Sequence, residues 1–149
     1  MKHLLRLALL LLVGGFLGTA LLLVPVSASH AHAVGSEGSA SATMSCRDNT
    51  GKKTRTVVVT VTWSGVQNSS GIGVTSVWTV AYESNNATPL DGARPLLTPA
   101  EQQGTESITL SFSDRAPFGF VQWYIYAATE APVLGGEINA SNFPGCANP

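Results

Sequence analysis

Histidine, the most common general base and metal ligand in proteins, is confined to one end of this chain. Its three copies, His3, His30 and His32, all precede Val34. A serine or cysteine nucleophile needs a neighbouring base, which is usually histidine. Because the rest of the chain offers none, the sequence argues against triad hydrolysis and predicts a non-catalytic protein that holds no metal and no cofactor.

Carboxylates are the second group that could support catalysis, since two suitably placed acids can cleave a glycosidic bond. The acids of this chain fall at predicted turns and strand ends, where solvated carboxylates are ordinary, so glycoside hydrolysis stays a minor alternative. Calcium binding would need several converging oxygen ligands, and the spaced Asp-x-Asp-x-Asp pattern is missing. The candidate acids are Asp91, Glu101, Glu106, Asp114, Glu130 and Glu137.

Aromatic side chains are the more informative set. Alternation along a predicted strand places Phe120, Gln122, Tyr124 and Tyr126 on one face. If that face meets solvent, it forms a strip of the kind on which sugar rings stack, and these four residues are the candidate ligand-binding site. We favour the alternative, in which the strip packs beneath the long segment 85–104.

The first 33 residues have the pattern of a secretory signal peptide. Lys2 and Arg6 precede 20 uncharged, mostly apolar residues at 7–26, and small residues follow them. Cleavage is expected after Ala33, with Ala28 as the other candidate. An uncleaved membrane anchor is the alternative, because 20 apolar residues can just span a bilayer. Either way the bulk of the chain is expected outside the cell, secreted or at the cell surface.

Export gives the two cysteines a meaning. Cys46 and Cys146 stand 100 positions apart, near the two ends of the exported part, and an oxidising compartment favours their pairing. Closing a loop of that length stabilises the fold by up to about 4 to 5 kcal/mol. We therefore predict one disulfide that ties the ends of a single domain.

Export also raises the question of glycosylation. Three Asn-x-Ser/Thr sequences, at Asn68, Asn86 and Asn139, are candidate acceptor sites in a eukaryotic secretory pathway.

The net charge of the whole chain is −1 and no basic stripe is present, which argues against nucleic-acid binding. Membrane contact is expected only if the leader is uncleaved.

Residues 34–42, rich in Gly, Ser and Ala, are predicted to form a flexible spacer, and residues 43–149 a single domain. Within that domain the clearest signal is the alternation of valine and threonine before Trp63, which is typical of a half-buried strand. Similar alternation surrounds Trp78 and Trp123, and all three tryptophans are expected in the core. The cluster Lys52, Lys53 and Arg55 is expected at a solvated strand end.

The segment 85–104 is long for a loop in a compact domain. Thr98-Pro99-Ala100-Glu101 has the pattern of a helix start, so one short helical turn is expected there. Residues 94–98 could instead form an edge strand, where Pro95 would be tolerated. A weaker last strand is expected over 137–143. The prediction is an all-β, antiparallel two-sheet sandwich of six or seven strands.

Three segments resemble the B, C and F strands of the fibronectin type III and immunoglobulin-like families. They are 60–63 (TVTW), 77–82 (VWTVAY) and 123–127 (WYIYA), and the resemblance covers about half of the exported chain. The resemblance implies an immunoglobulin-like sandwich. The chain departs from the pattern at Val121, where a tyrosine would be expected, and in its cysteines, which tie the ends of the domain.

These observations predict a secreted or cell-surface sandwich that serves interaction, adhesion or structure, with an extracellular protein or a polysaccharide as partner. A carbohydrate-binding module is the first alternative, with Tyr124 and Tyr126 as the stacking residues and Gln122 as their polar neighbour. A protease inhibitor that presents segment 85–104 is another.

Overall fold

The computed structural model describes residues 37–49, 51–85, 87–128 and 131–146. The predicted signal peptide, the candidate glycosylation site Asn86 and the candidate acid Glu130 lie outside these residues. Over the described ranges, no helix combines the length and the apolar character that crossing a membrane requires.

Eight strands and one 3-10 turn make up the described chain. In the longest strand, Thr54–Gln67, β-branched residues favour the extended conformation, because such side chains pack well on a pleated surface. The strands are β1 (Glu37–Asn49), β2 (Thr54–Gln67), β3 (Val74–Glu83), β4 (Pro89–Ala93), β5 (Leu96–Glu101), β6 (Gly104–Ser113), β7 (Phe118–Tyr126) and β8 (Leu134–Asn139), and the 3-10 turn is Ala140–Asn142.

The strands form two antiparallel sheets. One sheet has three strands in the order β1-β2-β6, and the other has five, in the order β4-β3-β7-β8 with β5 also beside β3. This confirms the predicted all-β sandwich, with eight strands instead of six or seven.

The core lies between the inner faces of the two sheets. On β2, the inward positions Val57, Val59 and Val61 are fully buried, as are Val121 and Trp123 on β7. The outward side of the three-stranded sheet is lined by hydroxyl groups. Thr60 contacts Ser107 at 3.0 Å and Thr62 contacts Thr105 at 3.1 Å between oxygens, so the threonine row of β2 faces away from the core.

Both long sides of the sandwich are closed by a specific contact. On one side, the predicted disulfide joins Cys46 of β1 to Cys146, which follows the 3-10 turn. On the other side, the carboxylate of Asp91 on β4 accepts a hydrogen bond of 2.7 Å from the backbone N–H of Ser111 on β6. The second contact satisfies a backbone donor on a sheet edge, a group that otherwise invites pairing with other chains.

Arg55 ties the disulfide end of the domain together. Its Nε donates to Oδ1 of Asp48 at 2.7 Å, and Nη1 donates to the carbonyl of Cys146 at 3.4 Å. The side chain is 1% exposed, so the expectation of a solvated Arg55 was wrong, whereas Lys52 and Lys53 are exposed. The reason is parity, because Arg55 points inward with Val57.

Three boundaries differ from the predictions. Strand β1 begins at Glu37, so residues 37–42 belong to the sheet and not to a spacer, because their backbone pairs with β2. The helical turn predicted at Thr98–Glu101 was wrong. Those residues belong to β5, where pairing with β3 outweighs the local helix signal. The last strand is Leu134–Asn139, earlier than the predicted 137–143.

Replacement of both Cys46 and Cys146 by alanine is expected to lower the free energy of unfolding by about 2 to 5 kcal/mol, because the unfolded chain regains the freedom of a long loop. Urea titration of the oxidised protein and the double variant measures the difference. The reduced wild type is the control and should match the variant. Equal midpoints for the oxidised and reduced wild type would contradict the assigned role of the bridge.

The pair formed by Asp48 and Arg55 predicts a pH dependence of stability. The hydrogen bond from Arg55 holds the pKa of Asp48 below its ordinary value of 3.8. A lowered folded-state pKa stabilises above the ordinary value, and that stabilisation is lost as the pH falls through the folded-state pKa. Between about pH 4 and pH 2, the wild type should therefore lose more stability than Asp48→Asn. Parallel curves of unfolding free energy against pH would contradict this.

Candidate functional site

The outer face of the five-stranded sheet carries the sequence-predicted site residues. On β7, Val121, Trp123 and Ile125 are fully buried and point inward. Gln122 and Tyr124 alternate with them and are half-buried on the opposite side. The predicted alternation along β7 therefore agrees with the structure.

Strand β3 adds two aromatic residues that the sequence analysis did not assign to the site. In the antiparallel register, Trp78 lies opposite Tyr124 and Tyr82 lies opposite Phe120. Trp78 is 37% exposed, so the expectation that it lies in the core was wrong. We define the aromatic face as these four residues, Trp78, Tyr82, Phe120 and Tyr124.

The aromatic face consists of two ring pairs. The centroids of Trp78 and Tyr124 are 5.8 Å apart with an interplanar angle of 35°, and those of Tyr82 and Phe120 are 5.1 Å apart with an angle of 17°. Aromatic pairs at such separations attract each other beyond their buried area. Phe120 and Tyr124 stand four positions apart on β7, which corresponds to about 13 Å along the strand.

Glycines border the Trp78–Tyr124 pair on the two neighbouring strands. Gly135 of β8 lies opposite Tyr124, and a Cβ at this position would come within 2.8 Å of Cδ1 of Tyr124. Gly92 of β4 lies near Nε1 of Trp78, at 3.7 Å from the position of a Cβ. The tyrosine ring therefore occupies space that any larger residue at Gly135 would take.

Polar groups lie between and beside the ring pairs. The hydroxyl of Tyr124 donates to Oε1 of Gln122 at 3.0 Å, which orients the amide between the two pairs. On β8, the exposed residues Glu137 and Asn139 lie opposite Gln122 and Phe120. The aromatic face is therefore interrupted and bordered by hydrogen-bonding groups.

Tyr124 keeps its proton at neutral pH. Burial raises the pKa of its hydroxyl above the ordinary value of 10.0, and the neighbouring Tyr82, Tyr126 and Glu137 raise it further. The neutral hydroxyl remains a hydrogen-bond donor to Gln122.

Tyr126 does not belong to the exposed strip, although it lies on the predicted face. The guanidinium of Arg94 lies 3.9 Å from the centroid of its ring, and Nε of Arg94 donates to Oγ of Ser76 at 3.1 Å. Tyr126 is consequently 5% exposed. Its ring supports Arg94 by a cation–π contact and offers no open face to a ligand.

The segment 85–104 lies beside the aromatic face instead of above it. Its residues form the edge strands β4 and β5, which pair with β3. The expectation that this segment covers the strip was therefore wrong, because its backbone extends the sheet. Arg94, between the two edge strands, is the part of the segment that reaches over the outer face, and it covers Tyr126.

A cleft of about 380 Å³ opens beyond the Tyr82–Phe120 pair. Phe120 forms one wall, and Ser84, Asn139 and Ser141 contribute polar groups. The cleft is therefore bordered by one residue of the aromatic face and by residues of the 3-10 turn.

The two described candidate glycosylation sites, Asn68 and Asn139, differ in their surroundings. Asn68 is a turn residue, since Oδ1 accepts hydrogen bonds from the backbone N–H groups of Ser70 and Ile72 and Nδ2 donates to the carbonyl of Ala127. The bond to Ala127 engages the amide nitrogen that glycosylation would modify. Asn139, by contrast, is exposed at the end of β8.

Among the candidate acids, Asp91 has fixed partners. Both carboxylate oxygens of Asp91 accept backbone hydrogen bonds, from Gly92 and Ser111. Within residues 37–49, 51–85, 87–128 and 131–146, no group of three or more His, Cys, Asp or Glu side chains is placed to hold a metal ion.

Comparison with known proteins does not assign the chain to a family. No protein-family model matches the chain, and no curated protein matches its sequence. Among solved structures, the chain is similar to the β-glucosidase DesR from Streptomyces venezuelae, solved in complex with D-glucose, with 14% identity and a TM-score of 0.33. The match covers 69% of this chain and 15% of that chain. A TM-score this low carries no argument about function.

The different exposures of the three tryptophans predict a fluorescence result. Trp78 is 37% exposed, whereas Trp63 and Trp123 are 3% and 0% exposed. Acrylamide should therefore quench mainly the emission of Trp78, and Trp78→Phe should remove most of the quenchable fraction while leaving the protein folded. Trp63→Phe is the control and should retain that fraction. An unchanged quenchable fraction in Trp78→Phe would contradict the placement of this residue.

Proposed function

We propose that the protein is an exported, non-catalytic binding module and that the aromatic face is its binding surface. The observation that carries the proposal is the exposure of Trp78 on an outer sheet face, where it pairs with Tyr124. Exposed aromatic residues on a soluble domain are typical of binding sites, because their large apolar surface contributes most when a ligand covers it.

The protein carries this surface outside the cell, on an immunoglobulin-like sandwich. The leader supports export, and a disulfide is compatible with an oxidising compartment outside the cell. The sandwich is of the immunoglobulin or fibronectin type III kind in this proposal. Its support is that β2 lies in one sheet while β3 and β7 are neighbours in the other, as the B, C and F strands are in immunoglobulin domains.

Catalysis is not part of the proposal, because the acids with fixed partners serve the fold. Asp48 pairs with Arg55 beside the disulfide, and Asp91 caps a sheet edge. The inhibitor hypothesis required segment 85–104 to be a presented loop. Since strands β4 and β5 occupy most of that segment, the aromatic face is the better candidate surface.

The test compares binding of the exported protein to the envelope of the cells that produce it with binding of the double variant W78A/Y124A. Loss of two paired rings should weaken binding by more than about tenfold, since one tenfold step corresponds to about 1.4 kcal/mol. Thr62→Ala, on the outer face of the other sheet, is the matched control and should bind like wild type. Unchanged binding by a folded W78A/Y124A variant would contradict the proposed function.

A further inference from the structure

We propose that the ligand of the aromatic face is a neutral polysaccharide that lies along β3 and β7 and stacks one sugar ring on each aromatic pair. This inference rests on the proposed function, because it names the ligand class of the same surface.

The ring pairs have the chemistry that a sugar ring requires. A pyranose presents C–H bonds on its faces, with partial positive charge on the hydrogens, and hydroxyl groups at its rim. The face of an aromatic ring is its negative side, so stacking brings unlike charges together while apolar surface is buried. The exposed indole of Trp78, beside Tyr124, provides such a surface on one pair.

The spacing of the pairs favours a ligand with several rings. About 13 Å of strand separates Tyr124 from Phe120, at about 3.3 Å per residue. One sugar can contact only one pair, whereas an extended chain along the strand direction reaches both. The cleft beside Phe120 has polar walls from Asn139 and Ser141, so it offers space for a further unit.

The groups between the pairs fit the hydroxyl rim of a saccharide. Gln122 lies between them, held by the hydroxyl of Tyr124, and Glu137 lies opposite Gln122 on β8. A hydroxyl group that is taken out of water needs a hydrogen-bond partner, since leaving it unpaired destabilises the complex. Amide and carboxylate side chains supply both kinds of partner.

The charges near the face argue for a neutral chain. Glu137 and Arg94 are exposed on opposite sides of the ring pairs and carry opposite signs. Only 11% of the whole sequence is charged. Neither a polyanion nor a polycation would therefore meet a field of one sign along the whole length of the face.

A protein partner fits the same surface less well. Protein interfaces of standard size bury about 800 Å² on each partner, and their strongest contacts cluster at an apolar centre surrounded by a polar rim. Here Val80 and Gln122 lie opposite each other between the ring pairs Trp78–Tyr124 and Tyr82–Phe120. Val80 is buried, so the group that reaches solvent at the centre is the amide, and the exposed apolar surface lies at the ends.

The experiment begins with sedimentation of the exported, oxidised protein with insoluble cellulose, starch, xylan and mannan, whose 1,4-linked units all carry a 2,3-diol. The proposal predicts saturable binding to at least one of them. Calorimetry with soluble fragments of that polysaccharide, from two to six units long, should then show affinity rising by at least about tenfold with length, once the ligand reaches both pairs. Absence of binding to every one of the four polysaccharides, or an affinity independent of length, would overturn the inference.

Variants assign the two ends of the ligand. Trp78→Ala and Phe120→Ala should each weaken binding of the six-unit fragment by about tenfold, the loss expected for one stacking site. Thr62→Ala, on the outer face of the other sheet, is the control and should behave as wild type. If binding is present but neither alanine variant weakens it while both are folded, the proposed site is wrong.

Treatment of the cell envelope separates this inference from the proposed function. Periodate, which cleaves sugar diols, should abolish envelope binding, whereas protease treatment should leave it. Binding that resists periodate, disappears after protease and still requires Trp78 and Tyr124 would overturn the polysaccharide and leave the binding surface standing. Binding that does not require those two residues would contradict the proposed function itself.

Discussion

Burial of Trp123 at the centre of β7 determines what the outer face of the five-stranded sheet presents. The side chain is fully buried between the two sheets, and Val121 and Ile125 point inward with it. Because side chains alternate along a strand, Gln122 and Tyr124 must point outward. A shift of register by one residue would move these polar groups into the core and Trp123 into water. The candidate binding surface is thus fixed by the same packing that stabilises the sandwich.

The two outer faces of the sandwich differ although both belong to antiparallel sheets. The three-stranded sheet carries rows of threonine and serine, whose hydroxyl groups contact one another across β2 and β6. The five-stranded sheet carries two aromatic pairs, and Gly135 on the neighbouring strand gives the ring of Tyr124 its space. The hydroxyl groups on the outer face of the three-stranded sheet can hydrogen-bond to water, so this face is stable without a bound partner. Exposed aromatic surface on the second face is the feature that a bound ligand would account for.

Sequence patterns predicted the sandwich, the disulfide and the shared face of the β7 residues, because each depends on local alternation or on one unambiguous pairing. They did not predict that Trp78 is exposed. Strand β3 is apolar on both sides, so its alternation shows which residues share a face but not which face is inward. The burial of Arg55 could have been predicted from its position two residues before Val57, which places both side chains on the same face of β2. Its charge led instead to the prediction of a solvated side chain. The pairing of β5 with β3 is a long-range contact that outweighs the helix signal at Thr98.

A ligand on the outer face of the five-stranded sheet should change the magnetic environment of its residues. Nuclear magnetic resonance of the isotope-labelled exported protein measures this directly, by titration with a soluble oligosaccharide of six units. We expect shifts at the indole N–H of Trp78, the side-chain amide of Gln122 and the backbone N–H of Gly135. Shifts confined to Thr62, Thr105 and their neighbours on the opposite sheet would contradict it.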